Sequence, residues 1–254
     1  MGRRLRGMTV AIFLLFGAGP TAPAAIAETA PADTDAAIAQ SLAEMLRDAR
    51  TVISNNQALI NDPGSGDKHL TGEKVWDDAS ALYRKNTGVD PRSIDKNSRQ
   101  GRLMDALKNA IVEVMNDNQK TINEKGTGFK GFIPAVFGRL VSESFNGLVK
   151  GPAQIKITAP TDLVRNRKAL PDAWEKQVID TKLLSPDWPH GQPYSATVNT
   201  NGRTAYRIAV PEYYTNSCLA CHGTPKGELD ITGYPKEGRK LGDLGGVMSI
   251  TLFR

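Results

Sequence analysis

Tyr194-Ser-Ala-Thr-Val-Asn199 and Arg203-Thr-Ala-Tyr-Arg-Ile-Ala-Val210 flank Thr200-Asn201-Gly202, and this stretch decides the fold. Both runs alternate in the manner of a half-buried strand. Asn-Gly between them is the strongest short-range signal for a tight hairpin, because both residues tolerate a positive φ. Upstream, Gln154-Ile-Lys-Ile-Thr158 alternates in the same way. Downstream, Gly245-Gly-Val-Met-Ser-Ile-Thr-Leu-Phe253 closes the chain as a further strand. Pro171 through Leu184 has the apolar spacing of a short amphipathic helix, with Trp174, Val178 and Leu183 on its covered side. Strands and a helix in this order predict a small antiparallel sheet over residues 152–254, and the class is α+β.

Between the hairpin and the last strand stands Cys218-Leu-Ala-Cys221-His222, which holds the only two cysteines of 254 residues. Two thiols three residues apart can each add to one vinyl group of the same porphyrin, and the adjacent imidazole can then bind the iron. Three other chemistries use such a pair. A thioredoxin-like site needs a helix N-terminus to activate the thiol, whereas Pro211-Glu-Tyr-Tyr before the motif and Gly223-Thr-Pro225 after it read as loop. A zinc site needs two further ligands, and only His69 and His190 remain among the histidines. A disulfide could close in an oxidising compartment. The adjacent His222 favours haem.

The N-terminal half repeats itself. Residues 56–68 read NQALINDPGSGDK and residues 118–130 read NQKTINEKGTGFK, identical at seven of thirteen positions at an offset of 62. Each copy opens with an amphipathic helix: Ile38, Leu42, Met45, Leu46, Ala49, Val52 and Ile53 in the first, Leu103, Leu107, Ile111, Val114 and Met115 in the second. Gly-x-Gly then ends each helix. It neither follows a strand nor opens a helix, so a phosphate-binding role has little support. Shorter helices near Glu73–Arg84 and Pro134–Leu148 complete a duplicated helix–loop–helix unit over residues 28–151. The amide pairs Gln57/Asn61 and Gln119/Asn123 lie one helical turn apart. They are expected to bond the loop that follows each of them, with a polar pocket or haem propionates as the other use.

Residues 1–27 have the layout of a secretory signal peptide: Arg3, Arg4 and Arg6, then an apolar run from Val10 to Ala18, then Ala25-Ile-Ala27. The apolar run is too short for a comfortable membrane span, and no later stretch is apolar enough for one. Cleavage lowers the net charge from +5 to +2. No basic stripe with interleaved aromatics appears, so nucleic acid is not an expected partner. A periplasmic or otherwise exported product agrees with haem attachment, which occurs outside the cytoplasm.

The segments RTVISNNQALIND, GFKGFIPAVFGR, RNRKALPDAWE, SCLACHG and YPKEGRKLGDLGGVMSITL together resemble an exported single-haem c-type family with a PAS-like domain, long regarded as a domain of unknown function. The resemblance implies a helical N-terminal part, a PAS-like antiparallel sheet and one covalently attached haem c on the CxxCH loop. By position it makes Cys218 and Cys221 the thioether attachments and His222 the proximal iron ligand. Some members of that family use a cysteine as second axial ligand, and this chain has no third cysteine. Its sixth ligand is then His, Met, another group or water. His69 stands where the second repeat has Gly131, and His190 lies between Pro189 and Gly191. Met45 and Met115 fall on the apolar stripes. The functional expectation is redox or diatomic-gas sensing, relayed to a separate signalling protein. The alternative is a soluble single-haem electron-transfer cytochrome serving a redox partner. Peroxidase-like catalysis would need a positioned distal acid or base, for which few histidines remain; the chain is not expected to be an enzyme.

Overall fold

The 62-residue periodicity is a structural repeat. The computed structural model describes residues 1–2 and 34–254 apart from Asn201, so nearly all of the expected signal peptide lies outside the described residues. In the first copy α1 (Asp35–Asn55), the single turn α2 (Gln57–Ile60) and α3 (Gly72–Thr87) follow one another. In the second, α4 (Arg99–Asp117), α5 (Gln119–Ile122) and α6 (Pro134–Val149) do the same. Thr34, Thr71 and Ser98 start α1, α3 and α4, each hydroxyl accepting a backbone N–H of the first turn. Pro134 starts α6, where its missing N–H costs nothing.

The repeat fixes where its amides bond, and the outcome corrects both expectations. Asn123 Oδ1 accepts from Lys68 N at 2.9 Å, and Asn61 Oδ1 accepts from Lys130 N at 3.2 Å. Gln57 Nε2 donates to Phe132 O and Gln119 Nε2 to Leu70 O, both at 3.0 Å. Each copy therefore satisfies the loop backbone of the other, not the loop that follows it. Where each loop turns inward, at Lys68 and Leu70 in one and at Lys130 and Phe132 in the other, little water reaches its N–H and C=O groups, so the facing copy supplies the partners. Lys68 and Lys130 are buried too. Their ammonium groups fold back onto carbonyls of their own loops, Ser65 and Asp62 for one and Thr127 for the other.

The second half holds β1 (Ala153–Thr158), α7 (Ala173–Val178), β2 (Tyr194–Thr200), β3 (Arg203–Tyr213), the single turn α8 (Leu219–His222) and β4 (Leu244–Phe253). The strands form one antiparallel sheet in the order β1-β4-β3-β2. Sequence and structure agree on an α+β fold. The segment expected as one helix over Pro171–Leu184 is α7 followed by a wider π turn at Ile179–Leu183. Side-chain alternation divides the sheet. Ile155, Ile208, Val210, Met248, Ile250 and Leu252 face the helical repeats and share their core. Ala209 and Val247 face the other way, against Val178, Ile179 and Leu183. On that second face Arg207 is buried, bonded to Asp172 and Glu175 and lying 4.4 Å over the Trp174 ring.

Asp48 is a buried acid on α1, 3% exposed. Asn86 Nδ2 donates to its Oδ1 at 2.8 Å, and its Oδ2 has no partner among the described residues. Burial, reinforced by the nearby Glu44 charge, pushes its carboxyl up to about 7. In the unfolded chain the same group should titrate near 4. Between these values only the folded state holds the proton, so the stabilisation present at pH 4 is lost as pH rises through 7. Asp48→Asn keeps an acceptor for Asn86 and removes the titration. The variant should match the parent at pH 4 and exceed it at pH 8 by roughly 4 kcal/mol. Denaturant melts at the two pH values read this directly, and a pH-independent difference would refute it.

Candidate functional site

β3 and β4 pair regularly until Glu212 meets Gly246 and Tyr213 meets Leu244, which leaves Gly245 as an extra residue in β4. Such a bulge bends the strand and re-aims its neighbours. A Cβ on Gly245 would lie 2.7 Å from the Tyr214 ring, so only glycine lets that ring settle over the strand. Tyr214 is buried. Its backbone is tied to β4's approach by Tyr214 N to Asp243 O at 3.0 Å and Gly242 N to Tyr214 O at 2.9 Å. His222 stacks on this platform, with ring centroids 4.9 Å apart and planes 28° apart. Burial and the nearby Glu237 charge push the Tyr214 phenol up to about 12, so it stays neutral beneath the imidazole.

The motif itself is helical. Asn216–Cys218 is a 3-10 turn that runs into α8, and Gly223 ends it. This corrects the loop expected from Pro211 and Pro225. The segment is too short for Pro or Gly on either side to prevent one turn from closing. The turn brings Cys218, Cys221 and His222 together on one short element. Both thiols are free and partly exposed, and Thr215 Oγ1 lies 3.3 Å from Cys218 Sγ. Burial, with the Asp230 charge behind it, raises the Cys221 thiol.

After α8 the chain forms a small hairpin, with Leu229 bridging Pro235, and returns to the motif. Arg239 N donates to His222 O at 2.8 Å and Gly238 N to Gly223 O at 3.1 Å. This return sets Glu237 beside the imidazole, Oε2 to His222 Nδ1 at 2.8 Å. Arg165, from the segment after β1, grips the assembly. It donates to Glu237 Oε1 at 2.7 Å and Oε2 at 3.0 Å, to Asp230 Oδ2 at 2.6 Å and to Cys221 O at 3.0 Å. Burial works to raise the Glu237 carboxyl, but the bonds from Arg165 and His222 hold it below the usual carboxylate range. Asp230 is likewise held well down, against its burial, by Thr232 and Arg165. An ionised Glu237 can only accept, so Nδ1 must carry the proton and Nε2 is left as the ligand nitrogen.

These residues fit a c-type haem. Two unpaired thiols sit on one helical turn, and the neighbouring imidazole presents one nitrogen because its other is engaged. Among the described residues no cluster of three or more His, Cys, Asp or Glu side chains forms a metal cage. A porphyrin needs none, since it already supplies four nitrogens and asks the protein only for axial ligands. The same loop carries Leu229, Ile231 and Leu241, each more than 60% exposed, an apolar surface suited to an apolar group bound there.

The four sixth-ligand candidates are scattered. Met45 and Met115 are 0% exposed in the core of the helical repeats. His69 is on the loop between α2 and α3, its side chain 87% exposed and its Nδ1 3.3 Å from Asp67. It has φ 52°, and its counterpart Gly131 has φ 69°, so the repeat demands a left-handed backbone here and no imidazole. His190 stacks on Tyr213 at 3.8 Å, next to the residue that carries His222. A cleft of about 1070 Å³ lies between α1, α3 and residues 191–193, and no residue of the motif lines it. Glu237, Arg165, Asp230 and Tyr214 were not legible as site residues. Their separation in sequence from His222 gives no spacing signal, although the RNRK and YPKEGRK segments that contain two of them already carry the family resemblance.

Helical repeats on one face of a four-stranded antiparallel sheet, with a cysteine–histidine turn braced between its two central strands in the chain, define an α+β domain. The chain belongs to the Tll0287-like family of haem-binding, PAS-like domains of unknown function, whose model matches residues 30–252. No curated protein and no solved structure matches it.

Proposed function

We propose that this is an exported c-type haem protein, with one haem joined to Cys218 and Cys221 and bound at iron by His222, that acts in redox or diatomic-gas sensing. The observation that carries the reading is the conjunction, on one helical turn, of two free thiols and an imidazole whose Nδ1 is already committed to Glu237. Bound haem supplies a one-electron iron couple and a coordination site for a small gas. The protein's own groups do the rest. Cys218 and Cys221 hold the macrocycle by two thioether bonds, so it cannot leave with a change of iron state. His222 fixes the proximal side. Tyr214, trapped against Gly245 of β4, links that imidazole to β3 and β4, and both strands contact α1, which pairs with Glu212 of β3 through Arg47 and Arg50, so a shift of His222 has a packed route to the helical repeats. A signalling or redox partner would read that change. Export draws on the layout of residues 1–27, and among the described residues no helix is long and apolar enough to cross a membrane.

The test is an absorption series on full-length protein matured with a haem c assembly system: oxidised, reduced, and reduced with CO. Covalent haem whose reduced spectrum shifts with CO supports the sensor. Covalent haem that is six-coordinate and indifferent to CO overturns gas sensing and marks the electron-transfer cytochrome instead. Absence of covalent haem overturns the whole reading.

A further inference from the structure

We infer that Glu237 is a positioning residue that fixes the tautomer of His222 and strengthens its electron donation to a bound haem iron, and so lowers the iron's reduction potential. The inference rests on the haem reading above and adds to it a specific control of potential. Its basis is a chain of short contacts. Nδ1 of His222 meets Glu237 Oε2 at 2.8 Å, and both oxygens of that carboxylate are gripped by the Arg165 fork at 2.7 and 3.0 Å. Arg165 is anchored in turn by Asp230 Oδ2 at 2.6 Å and by the carbonyl of Cys221, inside the motif, at 3.0 Å. The Asp230 side chain is fully buried and that of Glu237 is 16% exposed, so water scarcely competes for either.

A carboxylate at Nδ1 differs in kind from a neutral carbonyl there. It accepts a charge-assisted hydrogen bond, draws the Nδ1 proton toward itself and makes Nε2 a stronger donor. Stronger donation favours the higher charge on iron, hence ferric over ferrous. Among the described residues, Glu237 is thus the one charged group bonded directly to the imidazole, and Arg165 holds it there. If Glu237 were only a structural clasp on the loop, neutralising it would cost stability and leave the iron unchanged. That is the distinction to measure.

Glu237→Gln keeps the size and an acceptor for Nδ1–H but removes the charge. Haem-loaded full-length protein should retain its covalent haem. Its midpoint potential should rise by at least a tenfold change in the reduction equilibrium, about 59 mV for a one-electron couple. In resonance Raman the ferrous iron–imidazole stretch should fall in frequency. Arg165→Lys, which loses the fork but keeps the charge, should move both readouts in the same direction by less. If E237Q loads haem with both readouts at the parent values, the inference is overturned while the haem reading stands. If E237Q fails to load, Arg165→Lys decides by the same two readouts, and parent values there overturn the inference. If the parent itself carries no covalent haem, it is the underlying reading that has failed.

Discussion

With Cys218 and Cys221 both replaced by Ala, protein matured with a haem c assembly system should lose all haem that survives denaturation and acid–acetone extraction. The effect is all or none because only thioether bonds resist that treatment, and the chain has no other thiol to form one. Folding should be spared. Both cysteines sit on a short, partly exposed turn outside the two apolar cores, so truncating them removes little buried surface. Each single variant should keep one thioether and remain resistant to extraction. His222→Ala should also keep covalent haem, since the thiols are untouched, but its oxidised and reduced spectra should change because the proximal imidazole is gone. That contrast separates attachment from ligation within one motif. Extraction-resistant haem in the double variant would sink the assignment.

The elements whose signal is local were legible in the sequence. Alternation around Asn201-Gly202 gave the β2–β3 hairpin, and the spacing of Ile38 to Ile53 and of Leu103 to Met115 gave α1 and α4. Self-comparison gave the repeat, whose helices correspond one to one at the offset of 62. What escaped depends on pairing between distant segments. The Gly245 bulge exists only because β4 meets β3 in a particular register, and no pattern within β4 announces it. The exchanged amides failed for a related reason. Periodicity showed that Gln57 and Asn61 share a face, but not that the face looks onto the other copy. At the candidate site, Cys218, Cys221 and His222 lie within one short stretch, which is why the sequence could single them out. Arg165 and Glu237, which brace them, become neighbours only after the hairpin folds back and β1 takes its place in the sheet.

The methionines illustrate how burial decides between a packing role and a ligand role. Met45→Ala and Met115→Ala should each destabilise the protein by about 2–5 kcal/mol, the range for deleting a large buried side chain and leaving part of its volume empty. Both side chains are fully buried. Met45 sits among Leu42, Leu46 and Ala49 of its own helix in the core that continues into the sheet, and Met115 occupies the corresponding stripe of α4. A thioether there already fills space that the helices were built around, and to bind iron it would have to leave that core. The oxidised spectrum and CO affinity of haem-loaded M45A and M115A should therefore match the parent, while their unfolding midpoints fall. The opposite pattern, an altered coordination state with little loss of stability, would place a methionine on the iron and overturn the packing assignment. His190 offers the useful contrast. Among the described residues its imidazole is tied by stacking on Tyr213, one residue before the platform that carries His222. His190→Ala should cost far less stability than either methionine, so a spectral change in that variant reports ligation and not a loosened fold.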